Sequence, residues 1–137
     1  MKIVVDAEGS IIGRVGSYVA KQALLGNEVA VINCEKAIMS GNPVAVIETY
    51  HHLIKETGNI RKGPFVPRRT DMFVKRIIRR MLPNKKTRGV DALARIRVYR
   101  SIPEEFKGKG QKVPGSEKKL QKSISIQDLC HALGGKS

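Results

Sequence analysis

Tryptophan is missing from this 137-residue chain and aromatic residues make up only 4% of it. That argues against base stacking on a β platform of the RRM or OB kind. Two cysteines, Cys34 and Cys130, stand far apart with no second Cys near either, which gives no metal spacing and no disulfide framework. Both are expected to be small buried hydrophobes. No apolar run reaches the roughly 18 residues of a membrane helix, and the amino terminus enters the strand-like Lys2-Ile3-Val4-Val5 without a signal-peptide pattern. A cytoplasmic protein is expected. Acids are scarce where it matters most: residues 61–100 contain only Asp71 and Asp91.

Against these absences stands an excess of positive charge. Lys and Arg number 26 against 12 Asp and Glu, a formal net charge of +14. Residues 1–60 hold five bases and six acids, residues 101–137 seven and four, but residues 61–100 hold fourteen bases and two acids. An excess concentrated in one stretch makes a strong local positive field suited to a polyanion, and nucleic acid is the leading partner. An acidic membrane fits less well, because the one strongly basic helix needs its apolar face for a core. At 41% hydrophobic residues the chain has material for that core and reads as one domain, 1–137.

The elements follow from periodicity. Residues 2–6 and 28–33 are short β-branched runs, and between them Ile11, Ile12, Val15, Val19 and Ala23 fall on one helical face, a βαβ pattern with Ser10 as candidate N-cap and Gly26 as stop. A brief third strand is expected near residues 37–39. Asn42-Pro43 then caps and starts a helix whose buried stripe is Val46, Ile47, Tyr50, Leu53 and Ile54, ended by Gly58. Residues 59–70 carry two prolines and four bases without period and read as an extended basic loop.

Over residues 71–82 apolar and basic residues alternate in pairs: Phe73-Val74, Lys75-Arg76, Ile77-Ile78, Arg79-Arg80, Met81-Leu82. At about 100° per residue this makes a helix with one core face and one cationic face. Pro83 stops it, residues 84–89 form a second basic loop, and a helical turn near 90–94 leads to a final strand, 96–99, that keeps Ile96 and Val98 for the core and is flanked by Arg95, Arg97 and Arg100. Residues 103–122 are Lys-, Gly-, Glu- and Gln-rich and are expected to be exposed or ordered by a partner. Ser125-Ile-Gln-Asp128 is a capping box opening a short helix with Ile126, Leu129, Cys130 and Leu133 on one side and Gly134 as stop.

Little supports catalysis, a cofactor or a small-molecule substrate. Gly9, Gly13 and Gly16 lie between first strand and first helix, but at relative positions 1, 5 and 8 rather than the 1, 3 and 6 of the dinucleotide fingerprint. They read instead as a turn at Gly9 and close packing at Gly13 and Gly16. Adjacent His51 and His52 point about 100° apart on a helix and cannot share a metal as an i, i+4 pair would. Asp6 and Glu8 have no nucleophile or complementary acid nearby.

The basic constellation is harder to read as a solvated face, since such faces intersperse acids. Ten of its fourteen bases are arginines, whose fork matches phosphate oxygens bidentately. Helix-turn-helix and zinc-finger spacings are missing, and long basic loops suit a folded RNA better than one DNA groove. A structured-RNA binder is the physical expectation.

The stretches Val5-Asp-Ala-Glu-Gly-Ser-Ile-Ile-Gly-Arg14, Val31-Ile-Asn-Cys-Glu-Lys36 with Ser40-Gly41-Asn42, and Arg80-Met-Leu-Pro83 leading to Arg97-Val-Tyr99 resemble the large-subunit ribosomal protein L-thirteen family. The resemblance spans residues 2 to about 100, and the compact length is similar to archaeal members. It implies an α/β/α three-layer fold on a small, mostly parallel four-stranded sheet, binding to large-subunit rRNA beside neighbouring ribosomal proteins, and a place in early subunit assembly. The family's Met-Leu-Pro loop maps to Met81, Leu82 and Pro83, and its turn into the first helix to Gly13-Arg14. Bacterial members commonly have Gly or Lys before the Met, where this chain has Arg80.

The expected RNA contacts are Lys75, Arg76, Arg79 and Arg80 on the helix; Arg61, Lys62, Arg68, Arg69, Lys85, Lys86 and Arg88 in the loops; and Arg14, Lys36, Arg95, Arg97 and Arg100 beside them. Two alternatives stay open at this point: a non-ribosomal nucleic-acid-binding protein and a small nucleotide-binding enzyme.

Overall fold

The computed structural model describes residues 2–55, 67–83, 85–115 and 122–134. Strand β1 (Lys2–Asp6), helix α1 (Ile12–Leu24) and strand β2 (Glu28–Ile32) form the βαβ unit. A 3₁₀ turn (Cys34–Lys36) leads to β3 (Ile38–Ser40) and α2 (Pro43–Lys55). Helices α3 (Thr70–Arg79) and α4 (Thr87–Ala94) precede β4 (Ile96–Val98). A second 3₁₀ turn (Glu104–Phe106), β5 (Ser123–Ser125) and α5 (Ile126–Ala132) complete the order.

β2 lies between β1 and β4, parallel to both, with Val4 opposite Ala30 and Val31 opposite Val98. A central parallel strand is buried on both faces, which is why Val29-Ala-Val-Ile32 is apolar without alternation. Ile3, Val5, Val29, Val31, Ile96 and Val98 face the helices, where Val15 and Val19 of α1, Phe73 and Ile78 of α3, Ala92 of α4 and Leu129 of α5 close the main core. Full burial of each such large side chain stabilises by about 1.5–3 kcal/mol. Val4, Ala30 and Ile32 face the other way, onto Phe106 and Tyr99.

The α/β class and the mostly parallel sheet match the expectation, while the strand count differs. Three strands form the sheet, and β3 pairs antiparallel with β5 in a separate ribbon, tied to the first unit by one bridge between Ile11 and Ile38. Ser123-Ile-Ser125 is too short for its pairing to be visible in sequence. Among the described residues no α-helix contributes to the second cluster, so the outer layer there is the turn around Phe106. The following chain runs along β1: the Asp6 N–H donates to the Gln111 carbonyl at 2.9 Å and the Gln111 N–H to the Val4 carbonyl at 3.0 Å. This covers an edge that would otherwise offer open backbone groups. Residues 103–115, part of the stretch expected to be exposed or ordered by a partner, therefore contribute Phe106 and Val113 to the interior. A β-carbon at Gly110 would stand 2.9 Å from Ile32 Cδ1, so only glycine allows the strap this close.

The caps are mostly as expected. Asn42 Oδ1 accepts from the Val44 N–H at 3.0 Å and Ser125 Oγ from the Asp128 N–H at 3.2 Å. Gly26 and Gly134 adopt φ of 97° and 95° at the ends of α1 and α5. Helix α1, however, starts one residue later than Ser10 predicts: the Ser10 carbonyl accepts from the Ile38 N–H at 2.9 Å, and Ile11, extended, takes the cap position. The expected helix end at Gly58 lies outside the described residues.

Candidate nucleic-acid interface

Helix α3 turns Phe73, Val74 and Ile78 inward. Half-buried Lys75 and Arg76, with exposed Arg79 and Arg80, lie away from them. Among the described residues none of these four cations has an ion-pair partner. Arg76 and Arg80 stand near Tyr50 of α2, whose phenol burial pushes above its ordinary value while the two guanidiniums pull it back. Asp71 is not available to neutralise them, because its carboxylate accepts from Arg69 Nε at 2.9 Å.

Lys85, Lys86 and Arg88 are all exposed and surround the start of α4, whose first turn holds no acid. The positive end of the helix dipole adds to their field, an arrangement that costs stability and attracts anions. Their loop is seated by the Met-Leu-Pro stretch. Leu82 is buried, and Met81 lies across Gly16 of α1, where a β-carbon would stand 3.0 Å from Met81 Sδ. Gly16 thus permits close packing as predicted, while Gly13 has open space above it. Gly9 makes its turn at φ 69°.

The remaining expected contacts divide. Arg97, exposed on the edge strand β4, lines a hollow on each side of that edge. Arg95 does not project freely: its Nη1 donates to the Ala23 carbonyl at 2.9 Å, closing the carboxyl end of α1. Arg14 donates to the Gly115 carbonyl and so ties the strap to α1. Lys36 pairs with Glu8 at 3.7 Å, both half in solvent. Arg68 is exposed beside Gly134, and exposed Arg100 follows β4. Arg61 and Lys62 lie outside the described residues. The structure brings Lys75, Arg76 and Arg79 of α3 beside Leu93 of α4 and Lys75 beside Arg97 of β4, while Arg88 at the start of α4 lines a hollow against α1; Arg14 and Lys36 stand apart, at the carboxyl ends of β1 and β2.

One group of positioning residues was missed. The Glu35 side chain, only 7% exposed, accepts the Ser101 N–H on both oxygens at 3.1 and 3.2 Å. Ser101 and Asn33 both hold positive φ, 59° and 55°. The Asn33 N–H donates to the Ser101 carbonyl at 3.1 Å and Asn33 Nδ2 to Asp6 Oδ1 at 3.2 Å. These bonds join the ends of β1, β2 and β4 and fix where Arg100 leaves the sheet. The only sequence signal was that Asn33 and Glu35 sit in a stretch otherwise apolar.

Catalytic groupings do not form among the described residues. Asp6 and Glu8 serve the framework, with Lys112 Nζ 3.9 Å from Asp6 and donating to the Glu8 carbonyl. Among the described residues no group of three His, Cys, Asp or Glu is placed to hold a metal, and no helix is long and apolar enough to cross a membrane. Cys34 and Cys130 are free and buried, and burial pushes both thiols to about 12.

A family model described as Ribosomal protein L13 matches residues 1–105. The chain belongs to the ribosomal protein L13 family. L13 relatives share nearly the full length. The large ribosomal subunit protein uL13 of Thermoplasma acidophilum is 42% identical over 134 residues, covering 96% of this chain and 98% of that protein. Those of Methanococcoides burtonii and Methanococcus maripaludis are also 42% identical, covering 97% and 98% of this chain and 98% of each relative. The compact archaeal type is therefore the right comparison. Members of the L13 family are structural and non-enzymatic, which closes the nucleotide-binding-enzyme alternative.

Proposed function

We propose that this chain is a structural constituent of the cytoplasmic large ribosomal subunit that binds large-subunit rRNA and enters early in subunit assembly. The observation that carries the reading is the group of outward cations on α3, at the start of α4 and on β4, none with an acidic partner among the described residues. Lys75, Arg76, Arg79 and Arg80 contact helical phosphates; Lys85, Lys86 and Arg88, with Arg61, Lys62, Arg68 and Arg69, contact the backbone of folded RNA. The α/β core serves as one rigid domain that presents them. Arg14, Lys36 and Arg95 assist mainly by holding the framework, since each already has a partner inside the protein. Neighbouring large-subunit proteins complete the surroundings.

Chemical footprinting on protein-free large-subunit rRNA at about 0.2 M salt, with duplex DNA as competitor, tests this, because nonspecific contacts weaken steeply over that range. Discrete protected helices that survive competition are expected. Diffuse protection removed by DNA would leave a polycation on an α/β scaffold and favour the non-ribosomal alternative.

A further inference from the structure

The outward face of α3 carries one side chain that its charge does not explain. Met72 is 50% exposed amid Lys75, Arg76 and Arg79. A lone exposed methionine needs no account, but Met72 is not alone. It forms, with Lys75, the shared wall of two adjoining hollows of about 250 and 210 Å³ between α3, α4 and β4. Leu93 floors the first; Val98 and Tyr99 line the second, with Arg79 and Arg97 at the outer ends.

The rim is cationic. Its one acid, Asp71, is held by Arg69 at 2.9 Å and accepts the Met72 N–H at 2.9 Å. Lys75, Arg79 and Arg97 therefore set the local potential. Each hollow is smaller than the roughly 300 Å³ at which sites for drug-sized ligands begin, and so suits a group the size of one base. An RNA duplex would rest on the rim and leave the floor empty. A peptide adding a strand would find at β4 an edge of only three residues. An apolar floor of Met72, Leu93 and Val98 with guanidinium and ammonium groups around it takes an unstacked base and its flanking phosphates.

The geometry points to a pocket between α3 and β4 for a single unstacked rRNA nucleotide, its base against Met72 and Val98 and its phosphates at Lys75, Arg79 and Arg97. This rests on the rRNA-binding reading and adds to it the kind of RNA feature recognised. It also names Met72 and Val98 as contacts that charge alone does not reveal.

The test compares the full chain with Met72→Ala and Lys75→Ala on protein-free large-subunit rRNA, measuring affinity across salt concentrations and the reactivity of each base to chemical probes. Thermal unfolding of Met72→Ala should match the parent, since the side chain faces outward. Met72→Ala is expected to lose about fivefold in affinity, the lower end for a lost base contact, without change in salt slope, and to expose one unpaired base that the parent protects. Lys75→Ala should instead lower the slope by about one.

Parent-like affinity and protection in Met72→Ala would overturn the pocket while leaving rRNA binding intact. So would protection confined to paired helices, or a Met72→Ala protein that binds free rRNA normally yet is lost from reconstituted subunits, which would assign the floor to a protein segment. Failure of the parent itself to protect any discrete rRNA site would instead defeat the rRNA-binding reading.

Discussion

Three cations around the carboxyl ends of β1 and β2 and those of residues 67–100 meet different surroundings. Arg14 is bonded to the Gly115 carbonyl, Lys36 is paired with Glu8, and Lys112 of the strap reaches Asp6 and the Glu8 carbonyl. Each joins two parts of the framework. Over 67–100, among the described residues, Arg95 is engaged in this way, while Arg69 pairs with Asp71 two residues on and stays largely exposed. The others stand in one another's field on α3, α4 and β4, an arrangement that opposes compactness through self-repulsion. A fold tolerates such repulsion where an external polyanion relieves it. What separates scaffold from interface is therefore not the number of charges but whether each is bonded to a distant part of the fold.

The largest effect should follow damage to the scaffold beneath the charged face. Phe73 is fully buried and packs on Tyr50 with ring centroids 5.1 Å apart. Phe73→Ala should lose about 3–5 kcal/mol of stability, read by urea unfolding at fixed salt. The molecules that remain folded should bind RNA with parent affinity; a loss beyond the unfolded fraction would show that core and interface are not separable here.

Charge removal should do the reverse. Arg79→Ala with Arg80→Ala removes two exposed cations without an acidic partner among the described residues, so stability should change by no more than about 0.5 kcal/mol. rRNA affinity should fall roughly tenfold to a hundredfold at 0.1 M salt and the log–log salt slope by about two. Arg95→Ala sharpens the contrast, costing about 1 kcal/mol through the lost bond to Ala23 with a smaller change in slope. Unfolding of the Arg79/Arg80 double variant would refute the division.

Much of this division was legible in the chain. The alternating pairs from Phe73 to Arg79 give both faces of α3, because helical period and charge are local properties, although the helix ends at Arg79 rather than at the expected Leu82 and leaves Met81 exposed. The βαβ unit, the Asn42 and Ser125 caps and the core roles of Ile96 and Val98 were legible for the same reason. What was not legible depends on distant partners. Ile38-Met39-Ser40 reads as a strand, but nothing local says that it pairs with Ser123–Ser125. Phe106 and Val113 sit in a Lys- and Gly-rich stretch, and their burial exists only because the strap returns along β1. Arg14 and Arg95 look like any outward arginine until the carbonyls of Gly115 and Ala23 arrive beside them. Glu35 likewise shows its role only when Ser101 is brought within 3.2 Å.

The smallest effect tests how firmly scaffold and interface are joined. Met81 over Gly16 is the contact through which α1 seats the turn before the basic loop. In Gly16→Ala two terms oppose one another. Alanine in a helix interior gains about 1 kcal/mol over glycine, while its β-carbon would stand 3.0 Å from Met81 Sδ and 3.2 Å from Cε, so the methionine end must move by a few tenths of an ångström. Met81 is 40% exposed and its thioether end is flexible, whereas Ile78 Cγ1 at 3.7 Å is in ordinary contact and need not move. The helical gain should therefore win, giving a slight net stabilisation below about 1 kcal/mol. The same change in a Met81→Ala background should show the full gain, and the difference between the two, a double-mutant coupling, measures what the displaced methionine costs. If Gly16→Ala instead destabilises the parent but not the Met81→Ala protein, Met81 is held rigidly from the loop side, and residues 80–88 are part of the scaffold rather than a surface merely resting on it.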